Sequence, residues 1–218
     1  IGPARKPLNP GRCAYGLFLN DQGEVIDDAL VYMNGADNYM VIVNAGMGTV
    51  VSEHLQGFAD GSTPRVEDLT DKLGKIDVQG PKAAKILSRI IAEPDRVFDK
   101  MPYFSFKGNF YGDVTETGDV RLLSGTPILL SRTGYTGEFG FEIFLKGNET
   151  IALWEQLMEV GEEFDAVTCG LAARDSLRAG AVLPLSHQDI GHWPFVNTPW
   201  PFALPFDESG GGFTKPFH

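Results

Sequence analysis

Between Ser131 and Leu145 the chain reads SRTGYTGEFGFEIFL: three glycines in seven residues, then an apolar run. Glycines at 134, 137 and 140 invite a phosphate-cradle reading, but such a loop must open a helix. Here Gly140 is followed by Phe-Glu-Ile-Phe-Leu, which has the character of a strand. The segment is therefore a strand–turn–strand, and its glycines let the backbone take positive φ or approach a ligand closely. Glu142 lies among Phe141, Ile143 and Phe144. A carboxylate packed inside such a strand must find a partner or cost roughly several kcal/mol. The alternative is an edge strand with Glu142 in water.

The rest of the chain alternates strands with helices. Residues 1–11 hold three prolines and two glycines and read as a loop. Cys13–Leu19 and Val25–Met33 read as strands around the turn Asn20–Gly23. Tyr39–Asn44 is nearly all apolar, the pattern of a strand buried on both faces. Met47–Phe58 follows as a helix with Val50, Val51, Leu55 and Phe58 on its apolar side. Strand patches occur over Asp68–Val78. Gly80–Ile91 reads as a helix with Pro81 in its first turn. Met101–Phe106 and Asn109–Val114 read as strands joined at Lys107-Gly108. Asn148–Gly161 is a helix with Trp154, Leu157 and Met158 inward. The order strand, strand, helix occurs at Val25–Phe58 and again at Ile128–Gly161, a faint internal repeat. That order points to an α+β fold of two related halves facing across a cleft. The sections run 1–66, 67–161 and 162–218, the last holding a return helix and a strap, Trp193–Phe206, with four prolines and five aromatics in fourteen residues.

At 218 residues and 43% hydrophobic the chain can bury a real core. Its net charge of −11 argues against nucleic acid or an anionic membrane as partner. No apolar run reaches the ~18 residues of a transmembrane helix. Two cysteines, Cys13 and Cys169, make no disulfide framework, which favours a reducing compartment.

Several residue groups could carry chemistry. Asp27 and Asp28 are neighbours on a strand and should point to opposite faces, so at most one faces a cleft. Arg174 and Arg178 are four apart on a helix and share a face, a guanidinium pair suited to carboxylates or simply solvated. His187 and His192 flank Asp189, but the spacing is not that of a metal site, and none is expected.

Three stretches resemble one family. RTGYTGEFGFEI at 132–143 is similar to the RTGYTGE-x-G-x-E signature of the aminomethyltransferases, the T-proteins of the glycine cleavage system. GEVIDDALVY at Gly23–Tyr32 resembles the family's G-x-I-D-D motif. CGLAARDSLRAGAVLPLSHQDI at Cys169–Ile190 resembles its C-G-L-x-A-R-D-[ST]-L-R motif. The resemblance covers roughly residues 12–192 and implies an α+β folate-binding body, with a further C-terminal β-barrel domain missing from this chain. It implies tetrahydrofolate as cosubstrate and one-carbon transfer from an aminomethyl donor on a lipoyl-carrier protein. It places the catalytic carboxylate on Asp27. It places substrate or folate binding on Glu142 and Arg174, with Tyr135, Tyr15 and Asn44 at motif-matching positions. Arg178 matches too and is expected in a structural ion pair. The implied location is cytoplasmic, or the mitochondrial matrix in a eukaryote. The alternatives are a folate-dependent demethylase of a small methylated compound, or a non-catalytic folate-binding relative. The latter's K-G-C-Y-x-G-Q-E signature is not matched at Leu183–Ile190. The family's L-Y-G is replaced here by Leu185-Ser186-His187, a change that bears on the donor more than on folate.

Overall fold

The structure is a computed structural model that describes residues 8–59 and 65–191, with the backbone of Phe206–Asp207 and Gly212–Phe213. Most of the strap Trp193–Phe206, and His192, lie outside the described residues.

Three antiparallel strands open the fold: β1 (Arg12–Leu19), β2 (Val25–Gly35) and β3 (Asn38–Ile42), in the order β1-β2-β3. Helix α1 (Gly48–Gln56) follows and buries Val51 against Phe18 and Ala29. A second sheet, ordered β4-β7-β6-β5, is built from β4 (Leu73–Gln79), β5 (Phe106–Gly108), β6 (Leu129–Ser131) and β7 (Gly140–Lys146). Two short helices, α2 (Ala83–Leu87) and α3 (Pro94–Phe98), lie between β4 and β5. Helix α4 (Thr150–Gly161) follows β7, then α5 (Leu171–Gly180). A two-strand ladder, β8 (Phe206–Asp207) with β9 (Gly212–Phe213), completes the described backbone.

The two larger sheets are stitched together. The Cys13 amide donates to the Phe104 carbonyl at 3.1 Å, and the Phe106 amide to the Gly11 carbonyl at 2.9 Å, around an antiparallel bridge between Arg12 and Ser105. Across this seam Tyr32, Phe106, Leu129 and Phe144 pack in one apolar cluster. The larger core lies on the helical side, where Phe141, Ile143 and Leu145 of β7 meet α2, α3 and α4. Fully burying each such side chain is worth about 1.5–3 kcal/mol, so β7 is the strand the molecule is packed around. The repeated order is present as β2-β3-α1 and β6-β7-α4.

Several local expectations are corrected. Strand β3 ends its sheet and buries only Met40, because among the described residues no strand pairs with its outer side. The side chain of Val50 in α1 and that of Phe58, two residues beyond its end, are exposed, leaving Val51 as the helix's buried contact. In α4 the inward pair is Leu153 and Leu157, one turn apart, and Trp154 faces out at 46% exposure. The helix at 80–91 shortens to α2. Asn109–Val114 is a turn rather than a strand: the Asn109 side chain accepts from the amides of Tyr111 and Gly112 and donates to the Asp113 carbonyl, an arrangement that competes with a ladder. Lys107-Gly108, read as the link, sits inside β5, while Lys100 and Phe104 take left-handed backbone that breaks a strand over 101–106. Among the described residues no helix is long and apolar enough to cross a membrane.

Candidate active site

Asp27 is completely buried on β2. The register between β1 and β2 slips just before it, pairing Phe18 with Asp27 but Leu19 with Val25. That leaves Ile26 as an extra residue, and such a bulge twists a strand and re-aims its side chains. The chain leaving β3 then brings Asn44 onto the carboxylate. The Asn44 amide N–H donates to Asp27 Oδ2 at 3.0 Å, and its side-chain Nδ2 donates to Asp27 Oδ1 at 2.8 Å. The same Nδ2 lies 2.6 Å from Asp28 Oδ1. Both carboxylates thus meet one amide, so the expectation that strand alternation sends them apart does not hold beside the bulge. The Tyr15 hydroxyl donates to Asp28 Oδ2 at 3.0 Å. Burial raises the Asp28 carboxyl above its ordinary range, with the neighbouring Asp27 adding to it, while Asn44 and Tyr15 oppose the shift. Burial, then the Asp28 charge, push the Tyr15 phenol well up, so it remains a donor.

A loop from the far end of the chain closes over this group. Ser186 Oγ donates to Asp27 Oδ1 at 3.0 Å, and His187 Nε2 stands 3.9 Å from the same oxygen. The loop is braced from α5. Arg178, the one buried side chain of that helix, pairs with Asp175 at 2.7 Å and with Asp189. Asp189 in turn accepts from the Leu185 amide at 3.0 Å. Arg178 is therefore a structural ion pair, and Asp189 is committed to it. Among the described residues no group of three His, Cys, Asp or Glu side chains is placed to hold a metal ion.

The glycine-rich turn contributes Tyr135. Its hydroxyl donates to the Pro184 carbonyl, two residues before Ser186, and the Arg174 guanidinium lies over its ring at 4.4 Å. Arg174 is exposed on α5. Of the three glycines only Gly137 has positive φ; Gly134 and Gly140 make room for the side chain of Gln79.

Glu142 is 3% exposed on β7, between β4 and β6, so the edge-strand alternative is excluded. Its partner is Lys75 on β4, with Thr133 donating to its other oxygen. With its one proton on Glu142, Thr133 Oγ1 accepts from Ser131 Oγ at 2.8 Å, and the Tyr32 hydroxyl lies 3.0 Å from that serine. Asp77 pairs directly across from Glu142, with Lys75 Nζ 3.5 Å from it. Burial, then the Glu142 charge, raise Asp77 to about 6 against the pull of Lys75. Burial pushes Glu142 up too, but the Lys75 charge and the donors on it outweigh burial and hold it low. Cys13, on β1 of the other sheet, is pushed up to about 12 by burial and by Glu142 and is an inert thiol.

The structure therefore gathers Tyr15, Asp27 and Asn44 in one group, sets Tyr135 and Arg174 beside it through Pro184, and holds Glu142 in a separate polar knot. Sequence reasoning missed Asp28, Ser186 and His187 as neighbours of Asp27, and Lys75 and Asp77 as neighbours of Glu142. The replacement of L-Y-G by Leu-Ser-His was the signal for the loop. The i, i+2 spacing of Lys75 and Asp77 was the signal for the knot.

The chain matches the family model of the GCVT N-terminal domain over residues 3–193. It is 37% identical over 183 residues to an aminomethyltransferase of Bacillus cytotoxicus, covering 84% of this chain and 46% of that protein. An aminomethyltransferase of Bacillus mycoides is 36% identical over the same shares. The chain thus spans about half the length of these relatives. Among solved structures it is similar to the glycine cleavage system aminomethyltransferase T of Bartonella henselae, with a TM-score of 0.67 and 28% identity over 84% of this chain and 44% of that one. A heterotetrameric sarcosine oxidase of Corynebacterium shares the fold, with a TM-score of 0.52 at 19% identity.

Proposed function

This chain belongs to the family of the GCVT N-terminal domain, and from that membership we propose that it is the folate-binding part of a tetrahydrofolate-dependent one-carbon transferase of aminomethyltransferase type. The observation that carries the reading is the buried Asp27 carboxylate, held by Asn44 just after β3 and Ser186 from the far loop. A fixed negative charge beside developing positive charge on an amine or iminium carbon lowers the barrier to transfer.

The other residues fit a folate-like ligand. An exposed guanidinium stacked on the Tyr135 ring offers a flat face with a positive edge, suited to an aromatic group that carries a carboxylate tail. Tetrahydrofolate, when bound, supplies the nucleophilic nitrogens that accept the carbon. Asn44 fixes Asp27, and Arg174 orients the acidic tail. Glu142 takes a ligand only where Lys75 gives up one of its oxygens, which makes it a reader of ring nitrogens at the cost of an ion pair. The donor in this reading is an aminomethyl group on a lipoyl-bearing protein.

The test is calorimetric titration of the intact protein with tetrahydrofolate, repeated with Arg174→Ala. Binding that weakens at least about tenfold in the variant supports the reading, since truncating one side of a charged contact costs about 1.5–3 kcal/mol. Absence of binding at millimolar ligand sinks it.

A further inference from the structure

We propose, on the functional reading above, that Lys75 gates the Glu142 subsite: it caps the carboxylate in the free protein and swings onto Asp77 when a ligand N–H takes its place. The register of the sheet supplies the geometry. Asp77 is the direct cross-strand partner of Glu142, and Lys75 lies two residues earlier on the same face of β4. Lys75 Nζ pairs with Glu142 Oε1 and stands 3.5 Å from Asp77 Oδ2. One ammonium therefore lies between two carboxylates. Closing on the second to charge-assisted hydrogen-bond distance takes a shift on the order of 1 Å, within reach of a flexible lysine stem. Thr133 holds the other Glu142 oxygen, Oε2, so Oε1 is the one a ligand can claim.

The knot is buried at one end and open at the other. Glu142 is buried, whereas the side chains of Lys75 and Asp77 are 33% and 40% exposed. Among the described residues β4 is the edge of its sheet, so both groups can rearrange without breaking into the core. The Arg174 guanidinium is near enough for its charge to act against that of Lys75. The lysine and the proposed holder of the acidic tail are thus within reach of one extended ligand.

The ionisation of Asp77 decides how readily the lysine leaves. A protonated Asp77 offers Lys75 no counter-charge, and its own proton donates to Glu142. An ionised Asp77 withdraws that donor and gives the lysine a second anion. Burial and the Glu142 charge, against Lys75, place this change at about pH 6. Burial lowers Lys75, but Glu142 and Asp77 outweigh it and keep the ammonium charged. The other titratable groups facing the knot are neutral in this range: burial raises the Cys13 thiol of β1, the Tyr32 phenol of β2 and the Tyr103 phenol. The cations around it are Arg12, Arg132 and Arg174. Ligand binding draws Lys75 toward Asp77 and lowers its hold on a proton, so affinity strengthens as pH rises through the Asp77 titration.

The experiment is calorimetric titration of the intact protein with tetrahydrofolate from pH 5 to pH 8, for wild type and Asp77→Asn, alone and combined with Lys75→Met. Asparagine keeps the shape of a protonated Asp77 and gives Lys75 no counter-charge. Asp77→Asn should bind about tenfold more weakly than wild type at pH 8, with the gap closing to about twofold by pH 5. Titrations at pH 6 in two buffers of different ionisation enthalpy should show wild type releasing roughly 0.4 of a proton more than the variant. With Lys75→Met in place, Asp77→Asn should no longer weaken binding. Identical pH profiles for wild type and Asp77→Asn overturn the proposal, as does an equal loss with methionine at position 75. Either result leaves folate binding standing. A wild type that binds no tetrahydrofolate at any of these pH values removes the functional reading and the proposal together.

Discussion

The side-chain amide carbon of Gln79 lies 2.7 Å from where a Cβ on Gly134 would sit, and the nearest atoms around that point all belong to this one side chain. Gln79 crosses from β4 to the glycine turn, donating to the Phe141 carbonyl at 3.0 Å and the Thr133 carbonyl at 3.2 Å. Gly134→Ala therefore overpacks the turn and costs about 1–3 kcal/mol in urea unfolding. Adding Gln79→Ala relieves the clash, so a double-mutant cycle shows favourable coupling of about 1 kcal/mol or more. Additive effects would mean that the glycine is there for another reason.

Asp77 titrates near pH 6 in the fold, above the carboxylate's ordinary 3.8. A raised folded pKa gives stability that is present below the unfolded value and lost as pH climbs through the folded one. The Asp77 side chain is 40% exposed, so screening reduces the effect to on the order of 1 kcal/mol. Asp77→Asn should match wild type near pH 4 and gain on it between about pH 4 and pH 6, holding the gain above. Parallel stability curves for the two proteins would refute this account of the pair across β4 and β7.

Asn44 is the shared donor of Asp27 and Asp28. Asn44→Ala leaves both carboxylates short of a partner and should cost about 1–3 kcal/mol. Asn44→Asp adds a third acid and should be worse at neutral pH, with the gap to the alanine variant closing as pH falls. Denaturation at pH 5 and pH 8 reads both effects.

Arg174 and Arg178 share a helix and differ in role. Arg178→Ala removes the brace of the Leu185–Ile190 loop and should lower Tm clearly. Arg174→Ala, truncating an exposed side chain that rests on Tyr135, should leave Tm nearly unchanged and weaken tetrahydrofolate binding. Equal Tm losses would assign both to structure.

Asp27→Asn keeps the volume and removes the charge. One-carbon transfer should fall at least about 100-fold while tetrahydrofolate still binds. Transfer at the wild-type rate would remove Asp27 from the mechanism.

What the sequence disclosed was local. The apolar run over Phe141–Leu145 marked β7, and the need of Glu142 for a partner followed from its neighbours alone. The partner's identity did not, because the register that puts Lys75 and Asp77 beside Glu142 joins strands far apart in the chain. Asn109 defeated a strand reading because its side chain replaces the ladder with a turn. Asp28 was set aside by strand alternation, which the bulge at Ile26 overrides. Ser186 and His187 reach Asp27 through a loop whose course no periodicity encodes.

The hydrogen bond from Ser186 to Asp27 spans 159 positions of the chain. A ribosome adding about 5–20 residues per second needs on the order of 10–30 s to cover that stretch. During that interval β1, β2 and β3 can assemble from near neighbours, and Asn44 can reach Asp27. The loop that seals the carboxylate has not yet been made. A nascent chain stalled before residue 186 carries the acid without its cover, and the pocket becomes a pocket only when synthesis has passed the last of its walls.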